Sequence, residues 1–230
     1  MEEWMKQLEH CTLCPRACGV NRITGNTGAC HTDAQMRVAR AALHFWEEPC
    51  ISGQEGSGAI FFTGCALGCV FCQNTDISRR QAGKTVTVEQ LARICLNLQA
   101  QGANNINLVT AGHYLPAVAE ALKLAKAQGL QIPVVYNSSG YEKPEALRLL
   151  DGLVDIYLPD MKYMDADLAK KYSHAGDYPE VAKIALAEMV RQCPEAEFDE
   201  RGLMKKGIIV RHLLLPGHVR DSKAVLNYLY

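Results

Sequence analysis

Three cysteines stand within eight positions of one another in Gly64-Cys65-Ala66-Leu67-Gly68-Cys69-Val70-Phe71-Cys72-Gln73-Asn74. Thiolates suit soft metals, and an iron–sulfur cluster needs several of them facing one bonding sphere. A loop spaced Cys-x3-Cys-x2-Cys can curl around a four-iron cubane, with Gly64 and Gly68 leaving out side chains where the backbone must turn tightly. Three ligands for four irons leave one iron open to an outside ligand, much as a catalytic zinc keeps one position free. Cys65, Cys69 and Cys72 are therefore both candidate metal ligands and the candidate catalytic centre. A structural zinc would ask for a fourth ligand nearby, and the next cysteine, Cys95, lies on the apolar side of a helical pattern. Buried thiols without a metal are the remaining alternative.

A second group, Cys11, Cys14, Cys18 and Cys30, precedes the loop. Its first pair has knuckle spacing, Pro15 stiffens the turn that follows, and Gly19, Gly25 and Gly28 mark a return to Cys30. Four thiolates make a closed, saturated site, suited to structural zinc or to a cluster without an open iron. Nothing in this stretch requires redox chemistry, so a structural metal is the expectation. His10 and His31 are alternative ligands, each beside a cysteine that would point the other way in an extended chain.

The elements that must position these groups read as alternating strands and helices. Residues 59–63 form an apolar run ending at the cluster loop, and further strands are expected at 105–110, 131–137, 153–158 and 207–215. Helices are expected from Thr87, with Gln90 completing a capping box, to Gly102, and then at 116–128, 144–150, 165–171 and 178–191. Strands alternating with helices imply a parallel sheet, whose C-terminal strand ends are where sites are built. Residues 36–48 read as packing between cap and barrel with Trp46 as anchor, and 51–58 as a linker. The expected division is a Cys-rich metal-binding extension at 1–58 and a barrel at 59–230.

Polar residues cluster at the expected strand ends. Asn137, Ser138 and Ser139 can hydrogen-bond a ribose or a carboxylate. Asp160 and Lys162 follow an apolar strand directly, which disfavours a mere surface ion pair, and Arg211 interrupts a buried run where an unpaired cation is costly. His113 reads either as a loop histidine or as a substrate or acid–base contact. His212 reads as structural.

Taken together, the phrases Cys11 to Arg22, the cluster loop, Asn107 to Thr110, Val135 to Glu142, Asp155 to Lys162 and Arg211 to Gly217 resemble the radical S-adenosylmethionine superfamily. They are most similar to its pyruvate formate-lyase activating enzyme-like branch with a Cys-rich N-terminus. That resemblance implies an α/β fold, a partial (β/α) barrel with a small Cys-rich extension. It implies a [4Fe–4S] cluster and S-adenosylmethionine as cofactors, with structural zinc or a second iron–sulfur cluster as the options at the N-terminal cysteines. It implies cofactor contacts from Phe71, Asn74, Gly112, Asn137, Ser139, Asp160, Lys162 and Arg211. The activity it implies is reductive cleavage of S-adenosylmethionine to a 5'-deoxyadenosyl radical that abstracts hydrogen. The hydrogen donor is expected to be a glycyl radical enzyme or, alternatively, a small molecule or nucleotide, with a flavodoxin- or ferredoxin-like protein as electron donor. Relatives carry six βα units, whereas this chain reaches Tyr230 inside the helix after the fifth strand. A shortened barrel with an edge to be covered is thus expected, and a catalytically impaired iron–sulfur scaffold is a further alternative.

Composition is ordinary for a globular enzyme, with 48% hydrophobic and 21% charged residues. A net charge of -1 offers no electrostatic reason to bind nucleic acid. Ten cysteines at metal-like spacings, no apolar leader in residues 1–10 and no long apolar run lead to the expectation of a reducing cytoplasmic setting away from membranes.

Overall fold

The apolar runs pair side by side in the computed structural model, which describes residues 3–79 and 82–230. Helix α1 (Glu3–Lys6) precedes the cysteine-rich turns, which lead to β1 (Arg37–His44), α2 (Pro49–Ser52) and β2 (Ser57–Phe62). After the cluster loop come α3 (Thr75–Arg79), β3 (Lys84–Thr85), α4 (Val88–Ala100), β4 (Ile106–Val109) and α5 (Leu115–Ala127). The remaining elements are β5 (Val134–Ser138), α6 (Pro144–Leu147), β6 (Ile156–Pro159), α7 (Ala166–Ser173), α8 (Tyr178–Gln192), β7 (Glu197–Phe198), β8 (Met204–Ile208) and α9 (Val219–Leu229). One sheet runs β3-β1-β2-β4-β5-β6-β8-β7. Its five central strands are parallel, and β1, β3 and β7 pair antiparallel at the two sides. The result is an open, partial (β/α) barrel.

Burial explains why the central strands read as near-continuous apolar runs. Ile106, Leu108, Val134, Val135, Ile156 and Leu158 are all fully buried, as parallel strands covered on both faces require. One core joins the strands to α4 and α5 through Leu91, Cys95, Leu98, Val118 and Leu122. The capping box forms as expected: Thr87 accepts from the Gln90 amide while the Gln90 side chain accepts from the Thr87 amide. A smaller cluster around Leu67, Cys69, Met161, Tyr163 and Tyr178 packs at the strand ends under the cysteine loop. The inner face is filled by Val135, Ile156, Leu158 and Met204 together with Ile51.

Four expectations are corrected. Residues 37–44 are not loose packing but the strand β1, hydrogen-bonded to β2 from Val38 to His44, so the sheet reaches back across residue 58. Residues 51–58 are not a linker either, because Pro49 starts α2 and Ile51 enters the core at 1% exposure. Trp46 anchors nothing: its side chain is 90% exposed. The last central strand is β8 at Met204–Ile208, ahead of the expected 207–215, because β7 supports it on the outer side at Glu197 and Phe198. Pairing with β6 then continues as hydrogen bonds of Ile209 to Tyr157, Arg211 to Pro159 and Met161 to Arg211, with an isolated bridge at Asp160 and Arg211, and Leu213 and Leu214 are exposed. The edges foreseen for a five-strand arc are thus shielded by β1, β3 and β7.

The N-terminal cysteine turns are fastened to this barrel by Arg22, which is 1% exposed. Its guanidinium donates to the Asp33 carbonyl at 2.7 Å, to the His113 carbonyl at 2.7 Å and to Thr32 Oγ1 at 3.1 Å. Changing Arg22 to Met keeps the length but leaves two buried carbonyls unpaired, at about 1–3 kcal/mol each. Arg22→Met is expected to lower stability by roughly 3 kcal/mol, read as a fall in the urea unfolding midpoint of the anaerobically prepared protein.

Candidate functional site

Strand β2 ends at Phe62, and the chain turns immediately into the cysteine loop. Gly64 makes that turn with φ +96°, and a β-carbon there would lie 2.7 Å from the Cys30 carbonyl oxygen. The position therefore admits glycine alone, for conformational and for steric reasons. Past the turn, Cys65, Cys69 and Cys72 are all free thiols. Two of the sulfurs accept hydrogen bonds, Cys65 from the Leu67 amide at 3.4 Å and Cys69 from the Ser173 hydroxyl at 2.9 Å, and Cys72 lies 3.6 Å from the Ser78 hydroxyl, which itself donates to the Thr75 carbonyl. Burial pushes the Cys65 thiol above its ordinary value, and the neighbouring Cys69 and Cys72 add to the rise.

Two arginines hold the loop from outside. Arg16, between the N-terminal cysteines, donates to the Ala66 carbonyl at 2.9 Å and to the His174 carbonyl at 2.6 Å. Arg79, at the end of α3, donates to the Gly68 carbonyl. The Val70 amide bonds the Tyr172 carbonyl at 2.9 Å, so the end of α7 fixes the far side. With His31 and His174, these two arginines frame an open cavity of about 440 Å³ along Cys65 to Gly68.

The polar residues expected at the strand ends fall into two sets. In the first, Asp160 and Lys162 bond each other at 2.5 Å with side chains only 23% and 14% exposed, so the pair is not a surface one. Burial works against the Lys162 charge, but Asp160 and the thiols of Cys69 and Cys65 outweigh it and leave its pKa raised. Arg211 donates to Asn137 Oδ1 at 2.6 Å, and its Nε lies 3.3 Å from Asp160 Oδ1 in ion-pair rather than hydrogen-bond geometry. Its other end meets Glu47 at 3.5 Å and Glu48 at 3.9 Å. The half-buried cation is thus paired on both sides.

In the second set, Gly112 and Ser139 line a small cavity with Cys14, Cys65, Thr110, His113 and Glu142. Thr110 holds φ +60°, an uncommon conformation for a β-branched residue and a mark of local strain at the end of β4. His113 is resolved in favour of a structural role. It is buried, burial and then Arg22 push its pKa down to about 3, and its Nε2 lies 2.7 Å from the Thr63 carbonyl. His212 is structural too, bonded to the Met161 carbonyl at 2.7 Å and to Ser222 at 2.8 Å.

Phe71 and Asn74 stand apart from both sets. Phe71 is half-buried with its ring 6.5 Å from Tyr163, and Asn74 is exposed, its carbonyl accepting from Ile77 and Ser78 at the start of α3. Among the described residues no three His, Cys, Asp or Glu side chains converge around a single ion. At the loop, a cubane would make a different demand, since each thiolate takes its own iron.

The family model described as the radical SAM superfamily matches residues 59–222. The chain belongs to the radical SAM superfamily. It is also 30% identical over 218 residues to an uncharacterised protein of Methanocaldococcus jannaschii, covering 92% of this chain and 58% of that protein. A third likeness is to the pyruvate formate-lyase-activating enzyme of Clostridium pasteurianum, 30% identical over 113 residues, 47% of this chain and 46% of that enzyme. The chain therefore spans about half the length of the curated relatives it matches. No helix among the described residues is long and apolar enough to cross a membrane.

Sequence reading missed five residues at this radical SAM site. Arg16 and Arg22 lie inside the quoted cysteine motif, but surface arginines are the common case and only tertiary contacts reveal these. Glu47 and Glu48 sit in a segment without periodicity. Glu142 closes the motif begun at Val135 and is 6% exposed, accepting from Ser138 at 3.2 Å and Tyr136 at 3.5 Å. Burial pushes its pKa up to about 7, against the Ser138 bond, with Asp160 adding to the rise and Lys162 opposing it.

A carboxyl whose folded pKa is raised stabilises the fold below its unfolded value and loses that contribution as pH climbs. The window here runs from 4.5 to about 7. Glu142→Gln is expected to match the parent near the lower limit and to melt at a higher temperature above the upper one. Thermal melts across that range, with a flattened slope in the variant, check this.

Proposed function

We propose that Cys65, Cys69 and Cys72 bind a [4Fe–4S] cluster with one iron open to S-adenosylmethionine, and that the chain is an activating enzyme-like member of the family. The observation that carries the reading is the loop itself: three free thiols at the C-terminal end of β2, each with a polar neighbour, inside the matched span. When bound, the cluster supplies one electron to the sulfonium, whose carbon–sulfur bond breaks to give methionine and a 5'-deoxyadenosyl radical.

The chain's own residues serve this by binding and orientation. Lys162, kept charged by Asp160, faces the thiols of Cys69 and Cys65 and is suited to the methionine carboxylate. Glu142, beside Gly112 in the small cavity, can accept from the methionine ammonium in its ionised form. Asn137 and Ser139 suit the ribose, and Arg211 orients Asn137 and Asp160. Phe71 and Asn74 complete the proposed cofactor contacts. Fixing the sulfur near the open iron lowers the barrier chiefly by removing orientational freedom.

For the hydrogen donor, the partial likeness to a pyruvate formate-lyase-activating enzyme favours a glycine α-carbon in a protein partner. The basic frame of Arg16, His31, Arg79 and His174 suits an acidic electron donor of the flavodoxin or ferredoxin kind. A reducing cytoplasmic setting accords with ten free thiols. A small molecule as hydrogen donor is the outcome the test below separates.

Anaerobic reconstitution with iron and sulfide, followed by dithionite, is expected to yield 5'-deoxyadenosine from the parent and none from Cys69→Ala. Addition of a peptide deuterated at the glycine α-carbon is expected to move deuterium into that product. Product formation without deuterium transfer from any glycyl peptide would turn the reading toward a small-molecule substrate.

A further inference from the structure

The interior of the barrel is taken up by the chain itself. After β1 the backbone turns inward, and Ile51 packs among Val135, Ile156, Leu158 and Met204 on the inner face of the sheet. The Ile51 carbonyl accepts from Asn105 Nδ2 at 2.9 Å, and the Ser52 carbonyl from Asn104 Nδ2 at 2.7 Å. At the other end of the segment, Glu47 and Glu48 meet Arg211, which also pairs with Asp160. Residues 47–52 are thus held as a bound peptide would be, through carbonyls, one aliphatic side chain and carboxylates.

The sheet beneath this segment is poorly matched to it. Strand alternation turns Ile106 and Leu108 toward α4 and α5, and so turns Asn107 to the inner face, where it neighbours Val135 of β5. Asn107 is fully buried, yet neither its amide nitrogen nor its amide oxygen has a hydrogen-bond partner among the described residues. Asn105 Oδ1 and Ser57 Oγ are buried without partners as well. Ser57 faces the same interior, because a β-carbon on the next residue, Gly58, would meet Leu98 and Ala103 on the helix side. Four polar atoms on one face of the sheet are therefore unpaired, a costly arrangement at that depth. A carboxamide offers a donor and an acceptor side by side, the pattern an extended peptide group complements. Helix α2 cannot meet it, because the Ile51, Ser52 and Gly53 amides are turned back onto the Glu48 and Pro49 carbonyls.

The segment also carries a grip. Phe45 and Trp46, immediately before the two glutamates, are 52% and 90% exposed. We propose that residues 47–52 are the built-in occupant of a peptide-binding site on the inner face of the barrel, displaced when an extended acidic segment of a protein partner engages Arg211, Asn105 and Asn107. The inference rests on the peptide reading given under Proposed function and names the kind of peptide. The occupant indicates what replaces it: carboxylates for Arg211, an aliphatic residue three or four positions later for the surface of Val135, Ile156 and Leu158, and extended backbone for the carboxamides. Phe45 and Trp46 are where the partner takes hold, and until it does the segment keeps water out of the interior.

Amide hydrogen exchange at residues 50–53 reads the segment directly. It is measured anaerobically on the reconstituted parent, on Glu47→Gln/Glu48→Gln and on Asn107→Leu, each alone, with a glycyl peptide carrying a Glu-Glu pair ahead of a leucine, and with the Gln-Gln counterpart of that peptide. With the displaced state populated at about a tenth or less in the parent, the double variant is expected to exchange these amides about tenfold faster. It should also reach half-maximal 5'-deoxyadenosine formation at about tenfold less peptide. In the parent, the acidic peptide is expected to speed exchange by a similar factor and the neutral one to leave it unchanged. Asn107→Leu is expected to keep the protection and lose the response to peptide. Circular dichroism melts check the variants, and the peptide arms on the parent need neither of them. Protection that persists in the parent at every concentration of acidic peptide overturns the displacement, and 5'-deoxyadenosine formation in the same sample shows whether the proposed function stands without it. An equal response to both peptides overturns the acidic specificity. Faster exchange with the acidic peptide but no 5'-deoxyadenosine supports the peptide site and overturns the proposed function.

Discussion

Three thiols in one short loop repel one another once they lose their protons, so the force that holds the loop must come from outside it. In this chain it comes from three directions. Strand β2 delivers the loop at a fixed height, the end of α7 bonds its far side through Tyr172 and Ser173, and Arg16 and Arg79 pull its carbonyls outward. The loop contributes glycines and sulfurs. The rest of the protein contributes their arrangement.

The same logic accounts for the strand ends. Asp160, Lys162, Arg211 and Asn137 form one chain of contacts because a largely buried lysine and a half-buried arginine are costly without partners. The last carboxylates in that chain, Glu47 and Glu48, arrive from the connection between β1 and α2. Residues before the first central strand therefore complete the electrostatics of residues after the last.

Much of the fold was legible because parallel strands buried on both faces leave continuous apolar runs, and because Thr87, Gln90 and Pro116 obey local rules. The cysteine loop was legible because its spacing is local chemistry. Strand β1 was not, since Arg37, Arg40 and His44 interrupt any alternation in a strand half open to solvent. The start of β8 was missed because its support comes from β7, a two-residue strand with no pattern of its own. The structural role of His113 was invisible for a related reason: it depends on Arg22 and Thr63, neighbours only in the folded state. Spacing carries a ligand set, but pairing across ninety residues leaves no trace in one sequence.

The backbone bond between Cys30 and Cys65 also bears on how the protein fails. Oxidation of the thiols in either cysteine group would disturb a chain segment that is part of the other group's wall. Damage at one would loosen the other, so the two groups should fail together rather than one at a time.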